Sequence, residues 1–90
     1  MDPQEKINIL RNKIDDLDNQ ILNSLVQRFS IAREIGEIKA SSDIEIRDPD
    51  REEEIIERLT NKLAGKLDKG DIASIFGPVY KISKRLQKNK

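Results

Sequence analysis

The side chains that stand out chemically are cations on the first, apolar-patterned stretch of the chain. Arg28 falls among leucines and isoleucines, where a charge destabilises the fold unless it is paired or bound. Lys39 follows close to three helical turns later, so it would face nearly the same way about 16 Å further along. Two long cationic side chains reaching toward each other from these points would bracket a small anion.

Arg11 does not fit the same pocket. In a continuous helix it lies about 25 Å before Arg28 and is turned from it by roughly 100°. If Arg11 serves a pocket of this kind, that pocket belongs to a partner chain. The plainer interpretation is that all three cations are solvated surface charges, which is the usual state of Lys and Arg. This interpretation suits Lys39 best and Arg28 least.

Further polar candidates lie near the start of a second helix and the end of a third. Arg51 and Glu52 sit in a first helical turn, whose free N–H groups can hold a hydroxyl or an anion. Ser83 and Gln87 are spaced to share one helix face. Taken singly, Glu52 is an ordinary acid near a helix N-terminus, and Ser83 and Gln87 are more simply exposed or frayed.

The element that must position the cations is one long helix, from Gln4 to about Lys39. Asp2 is its predicted N-cap and Pro3 its first helical residue. At 1.5 Å per residue such a helix is roughly 50 Å long, whereas a compact domain of this size is on the order of 30 Å across. A second copy of the chain is the simplest cover for its apolar stripe, which consists of Ile7, Leu10, Ile14, Leu17, Ile21, Leu25, Ile31, Ile35 and Ile38.

A second helix is predicted over residues 50–64. Asp48 and Pro49 form a strong start signal, and Gly65 is a natural C-cap. Its apolar stripe comprises Ile55, Ile56, Leu59 and Leu63.

A third helix is predicted over residues 72–87, with Asp71 as its N-cap. Gly77 and Pro78 lie inside it, and we expect a kink there rather than a break. Its predicted buried side comprises Ile72, Ile75, Phe76, Val79, Ile82 and Leu86.

The composition excludes several classes of function. The chain has no cysteine and no histidine, so thiol chemistry and the commonest general base and metal ligand are missing. Seventeen basic residues balance seventeen acidic ones, which gives no general attraction for nucleic acid. No apolar run suits a membrane span and no signal-peptide pattern is present. We expect one cytoplasmic all-α domain, residues 1–90, that binds neither nucleic acid nor membrane.

Four segments together resemble one known family. They are LRNKIDDLDNQILNSLVQR (residues 10–28), IGEIK (35–39), DPDRE (48–52) and the S-x-x-x-Q pattern at residues 83–87. This order resembles that of the all-helical chorismate mutases over nearly the whole chain. The resemblance implies three helices per chain in an intertwined homodimer with two active sites. It also implies the Claisen rearrangement of chorismate to prephenate, a step of aromatic amino acid biosynthesis in the shikimate pathway.

The resemblance also implies roles for individual residues. Arg28, together with Arg11 of the partner subunit, would hold the two substrate carboxylates. Lys39 would contact one carboxylate and the ether oxygen, and Gln87 would donate a hydrogen bond to that same oxygen.

By the same resemblance, Glu52 and the backbone near Asp48 would hold the ring hydroxyl. Arg51 and Ser83 would complete the polar lining. Lys84 stands where the family often has an apolar wall residue, and we expect its ammonium group to extend toward solvent.

A pericyclic rearrangement requires no nucleophile, general base or metal, so we expect neither cofactor nor metal ion. Two alternatives stay open. Relatives of this family remove pyruvate from isochorismate, although an intact DPDRE segment with its Glu52 carboxylate favours the mutase. A different class is a helical dimerisation or ligand-sensing module that binds such a molecule without turnover.

Overall fold

The computed structural model of the chain consists of three helices and describes residues 1–45, 49–63 and 65–88. Helix α1 spans Pro3–Ser42, α2 spans Pro49–Leu63 and α3 spans Lys69–Lys88. The described residues contain no strand, which confirms the all-α class. None of the described helices has both the length and the apolar character that crossing a membrane requires.

Helix α1 is capped at both ends. The Asp2 carboxylate accepts a hydrogen bond from the Glu5 N–H at 2.8 Å, which confirms the predicted N-cap. At the other end Asp43 takes a left-handed conformation, with φ of 57°. The Ile44 N–H then donates to the Lys39 carbonyl at 3.0 Å, as in a Schellman motif. Lys39 therefore lies in the last turn, where the helix dipole favours a positive charge.

Helix α2 buries the predicted stripe. Ile55 is buried, and Ile56, Leu59 and Leu63 are half-buried. Gly65 has a φ of 85°, the left-handed conformation expected of a glycine C-cap. Asp48, the predicted N-cap of this helix, lies outside the described residues.

Helix α3 starts earlier than predicted, and the assignment of Asp71 as its N-cap is wrong. The Asp68 side chain accepts from the Asp71 N–H at 2.8 Å, and the Asp71 side chain accepts from the Asp68 N–H at 3.3 Å. Asp68 is therefore the N-cap and Asp71 its partner three residues later. This reciprocal capping box satisfies two free N–H groups, whereas Asp71 alone would satisfy one.

The core is centred on α3, which packs against α2. Ile72 is only 1% exposed, and Val79 and Tyr80 are also buried, but Ile75 is 54% exposed, so its predicted burial is wrong. The helix continues through Pro78. Gly77 assists here, because a residue without Cβ relieves the clash that disfavours helix before a proline.

The chain divides into two units, Met1–Ser30 and Ile31–Lys90. Every buried residue among those described belongs to the second unit. The first unit is a single helical stretch in which no residue is buried. Nine of its large apolar side chains are at least 40% exposed, namely Met1, Ile7, Ile9, Leu10, Ile14, Leu17, Ile21, Leu22 and Val26.

Removal of the α3 cap should destabilise the fold. We expect Asp68→Ala to lower the free energy of unfolding by about 1 kcal/mol, because it leaves N–H groups of the first turn without an acceptor. Asp68→Asn keeps an acceptor oxygen and should stay close to wild type. Urea unfolding followed by circular dichroism measures both, and equal stabilities for the two variants would contradict the capping assignment.

Candidate active site

The backbones of α1 and α3 approach each other closely at Gly36 and Gln87. A Cβ atom placed on Gly36 would lie 2.6 Å from both the Cα and the carbonyl oxygen of Gln87. Real Cβ atoms do not approach other heavy atoms so closely, and the atoms in the way belong to backbone rather than to a flexible side chain. Only glycine allows this approach.

The approach at Gly36 brings Gln87 to the last turns of α1. Lys39 is one turn beyond Gly36 on the same helix face and is half-buried. Gln87 is half-buried within α3, so it is not a frayed terminal residue. Its Oε1 atom is buried and accepts no hydrogen bond from the residues that the structure describes. The Gln87 carboxamide is thus enclosed while its oxygen accepts no hydrogen bond from the described residues, which suits a group that binds a ligand.

The first turn of α2 meets α3 through an ion pair. The Lys84 Nζ atom lies 3.1 Å from Glu52 Oε1, and the two side chains are 35% and 28% exposed. The expectation that Lys84 extends toward solvent is therefore wrong. Lys84 turns toward the protein because the packing of α2 and α3 brings the Glu52 carboxylate within reach of its ammonium group.

Ser83 is buried and so cannot be the exposed surface serine of the simpler interpretation. Its hydroxyl donates to the Val79 carbonyl at 2.8 Å. Arg51 forms an ion pair with Glu54 at 3.6 Å on the exposed side of α2. That pair explains how a cation is tolerated near the helix N-terminus.

Three predicted site residues are not placed in this group by the structure. Arg11 is exposed and Arg28 is half-buried, both within the Met1–Ser30 unit. Their place relative to Lys39 and Gln87 stays a prediction. Asp48 lies outside the described residues, so its predicted contact with the ring hydroxyl also stays a prediction.

Two further residues emerge that the sequence did not single out for the site, Gly36 and Lys84. A signal existed for Gly36: it is the one glycine in the sequence of α1, and a glycine in a helix interior costs about 1 kcal/mol relative to alanine. Such a residue indicates a close backbone approach. Lys84 carried no comparable signal, because the position of Glu52 depends on how α2 and α3 pack.

The chemistry available here is binding and electrostatic. Among residues 1–45, 49–63 and 65–88, no three acidic side chains come together in a way that could hold a metal ion. Lys39, Glu52, Ser83 and Gln87 instead offer an ammonium group, a carboxylate, a hydroxyl and a carboxamide from three helices. These features define an all-helical protein whose polar groups suit a small polyfunctional anion.

Comparison with known proteins assigns the family. The sequence pattern of the family "Chorismate mutase type II" matches residues 10–88. The chorismate mutase of Methanocaldococcus jannaschii is 38% identical over 86 residues, which is 93% of this chain and 86% of the relative. The chain belongs to the type II chorismate mutase family.

Solved structures agree with the assignment. The chorismate mutase of Helicobacter pylori, crystallised in complex with prephenate, has a TM-score of 0.86 at 34% identity and covers 94% of this chain and 92% of its own. That of Thermus thermophilus has a TM-score of 0.89 at 29% identity, with coverages of 94% and 97%. A bifunctional chorismate mutase/prephenate dehydratase of Aquifex aeolicus is 42% identical over 55 residues, only 15% of its length.

A methyl group at Gly36 should disturb both packing and catalysis. Gly36→Ala must displace the Gln87 backbone, since a Cβ has no room there. We expect a lower melting temperature and a fall in kcat of about 10-fold or more, because a 1 Å misplacement can cost about 100-fold.

Gly77→Ala is the control for catalysis rather than for stability, because a Cβ at Gly77 meets nothing within 4 Å outside its chain neighbours but restores the clash with Pro78. The control should keep wild-type activity per folded molecule. Thermal unfolding and initial rates on chorismate measure both variants. A Gly36→Ala variant with normal melting temperature and normal kcat would show that the close approach is not needed.

Proposed function

We propose that the chain converts chorismate to prephenate with the residues described above, as a homodimer. Membership of the type II chorismate mutase family supports the reaction. One structural observation carries the placement of the site: the end of α3 contacts α1 at Gly36 and contacts Glu52 of α2 through Lys84. One short helical segment therefore joins residues from all three helices. The Helicobacter pylori relative binds prephenate, and we extend prephenate binding to this chain.

The reaction sets the demands on the site. A carbon–carbon bond forms while the ether carbon–oxygen bond breaks, within one molecule and with no proton transfer. The protein must hold a flexible dianion folded, with its reacting carbons close together. Such positioning removes much of the entropic barrier. No acid, base or nucleophile has to act, which fits a chain without histidine or cysteine.

Lys39 and Gln87 supply the electrostatic part of catalysis. Negative charge grows on the ether oxygen as its bond to carbon lengthens, so donors at that oxygen bind the transition state more strongly than the substrate. Lys39 carries an ammonium group, and the Gln87 carboxamide offers an N–H. A preorganised donor of this kind is typically worth about 3 kcal/mol. The backbone approach at Gly36 supports this pairing, since it sets Gln87 near the turn that carries Lys39.

Glu52 accepts a hydrogen bond from the ring hydroxyl, and the backbone near Asp48 holds the same hydroxyl. Arg51 and Ser83 complete this polar end of the site. Support comes from the burial of Ser83 and the half-burial of Glu52, which place both groups away from bulk solvent.

The homodimer is supported by the Met1–Ser30 unit. Nine large apolar side chains there are at least 40% exposed in the single chain. The spacing of Leu10, Ile14, Leu17 and Ile21 by three and four is that of helices that pack along their length. Covering a half-exposed leucine or isoleucine stabilises by roughly 1 kcal/mol, half of what complete burial gives. A second α1 would cover this stripe, and Arg11 of the partner subunit would join Arg28 at the substrate carboxylates.

Purified protein should consume chorismate and form prephenate. Lys39→Ala should lower kcat by about 100-fold or more, since it removes a charged donor at the ether oxygen. Lys62→Ala is the matched control, because Lys62 lies in the last turn of α2 as Lys39 does in the last turn of α1. Loss of chorismate absorbance, with product identification by chromatography, measures all three proteins.

The outcomes of this assay separate the proposed function from its alternatives. Release of pyruvate from isochorismate, without chorismate turnover, would assign the lyase reaction. Calorimetric binding of chorismate or prephenate without any turnover would assign a sensing module. A Lys39→Ala variant as active as wild type would remove Lys39 from the catalytic group.

The shared site predicts complementation between two inactive variants. Arg11→Ala and Arg28→Ala should each be nearly inactive as homodimers, because every site then lacks one arginine. In a mixed dimer, one site combines an intact Arg28 with an intact Arg11 of the partner subunit. Random pairing on co-expression should therefore restore about a quarter of wild-type activity. If the mixture stays as inactive as its components, Arg11 does not act across the dimer.

A further inference from the structure

The Lys84–Glu52 pair differs from the other ion pairs that the structure describes. Its 3.1 Å separation is shorter than the 3.6 Å of Arg51–Glu54 and the 4.0 Å of Lys69–Glu57. Its side chains are 35% and 28% exposed, whereas those of the other two pairs are all at least 55% exposed. Exposed pairs contribute little because water screens them. Partial burial and a short distance therefore give Lys84–Glu52 a stronger effect on its surroundings than either of these two pairs has.

The position of the pair connects it with the candidate site. Lys84 follows the buried Ser83 directly and lies one turn before Gln87 on α3. Glu52 is the residue proposed to accept a hydrogen bond from the ring hydroxyl. The ion pair thus joins the α3 segment that carries Gln87 to the group proposed to hold the ring hydroxyl.

Charge explains why Glu52 needs a cation beside it. A carboxylate facing a dianionic substrate repels it, and partial burial strengthens the repulsion because screening is weaker there. An ammonium group 3.1 Å away offsets that negative charge. It also restricts the carboxylate to one orientation.

The pairing leaves Glu52 able to bind the hydroxyl. A carboxylate has two oxygens with about four lone-pair directions. The contact with Lys84 is made through Oε1. An O–H group can donate to the other oxygen, so Lys84 and a substrate hydroxyl do not compete.

We propose that Lys84 is a positioning residue for substrate recognition, which acts by orienting Glu52 and neutralising its charge toward a dianionic substrate. This inference rests on the proposed function. Its effect falls mainly on substrate binding, because the ring hydroxyl takes no part in the bond that forms or the bond that breaks.

The test is a double-mutant cycle in the full-length protein. Lys84→Met keeps side-chain length and removes the charge, so KM for chorismate should rise about 10-fold with a much smaller change in kcat. In a Glu52→Gln background the same substitution should change KM by less than about 2-fold, because no carboxylate remains to be neutralised. Lys84→Arg keeps a cation and should restore most of the affinity.

Lys81→Met is the matched control, since Lys81 is exposed on the same helix, and its KM should equal that of wild type. Circular dichroism and thermal unfolding confirm that each variant is folded. If Lys84→Met does not fold, Lys84→Gln takes its place, and Lys84→Arg still reports on the charge.

Two results would overturn the inference. One is an unchanged KM in Lys84→Met, and the other is an equal rise in KM with and without the Glu52 carboxylate. An active wild type with either result rejects this inference alone. An inactive wild type would reject the proposed function and this inference with it.

Discussion

The rest of the candidate site depends on the backbone contact between α1 and α3 at Gly36. With Gln87 Cα only 2.6 Å from where a Cβ would be, neither helix can shift along the other without a clash or a gap. This contact sets the register of α3 against α1, and that register sets the positions of the polar residues of α3. Ser83 and Lys84, one turn before Gln87, are placed by the same constraint. Gly36, which has no side chain, therefore fixes the positions of Ser83, Lys84 and Gln87.

The polar groups of the candidate site offer charges and hydrogen bonds to a ligand. Lys39 lies where the helix dipole already favours a cation, at the end of α1. Glu52 lies in the first turn of α2, where the dipole favours an anion, and Lys84 compensates its charge. Each charged group thus has a local stabilising partner before any substrate binds. Such preorganisation is what a rearrangement without proton transfer requires of a protein.

The exposed apolar stripe of the Met1–Ser30 unit and the polar site are both completed by a partner chain in the proposed homodimer. A single chain leaves that stripe uncovered, and the same stretch carries Arg11 and Arg28. In the proposed homodimer, the second chain that covers the stripe also supplies Arg11 to the site of its partner. Stability and catalysis would then depend on the same association. A monomer would lack both the cover and the second arginine.

The sequence by itself determined the three helices, because periodic apolar residues and capping side chains act within a few residues of each other. It also determined the family, through motif order. It misassigned the Asp71 cap, since two aspartates three residues apart cap the helix together and either could be taken for the N-cap. Only the tertiary structure decided that Lys84 turns toward Glu52 and that Gly36 meets Gln87. Both contacts join residues far apart in the chain, and their distances depend on how whole helices pack, which no local pattern encodes.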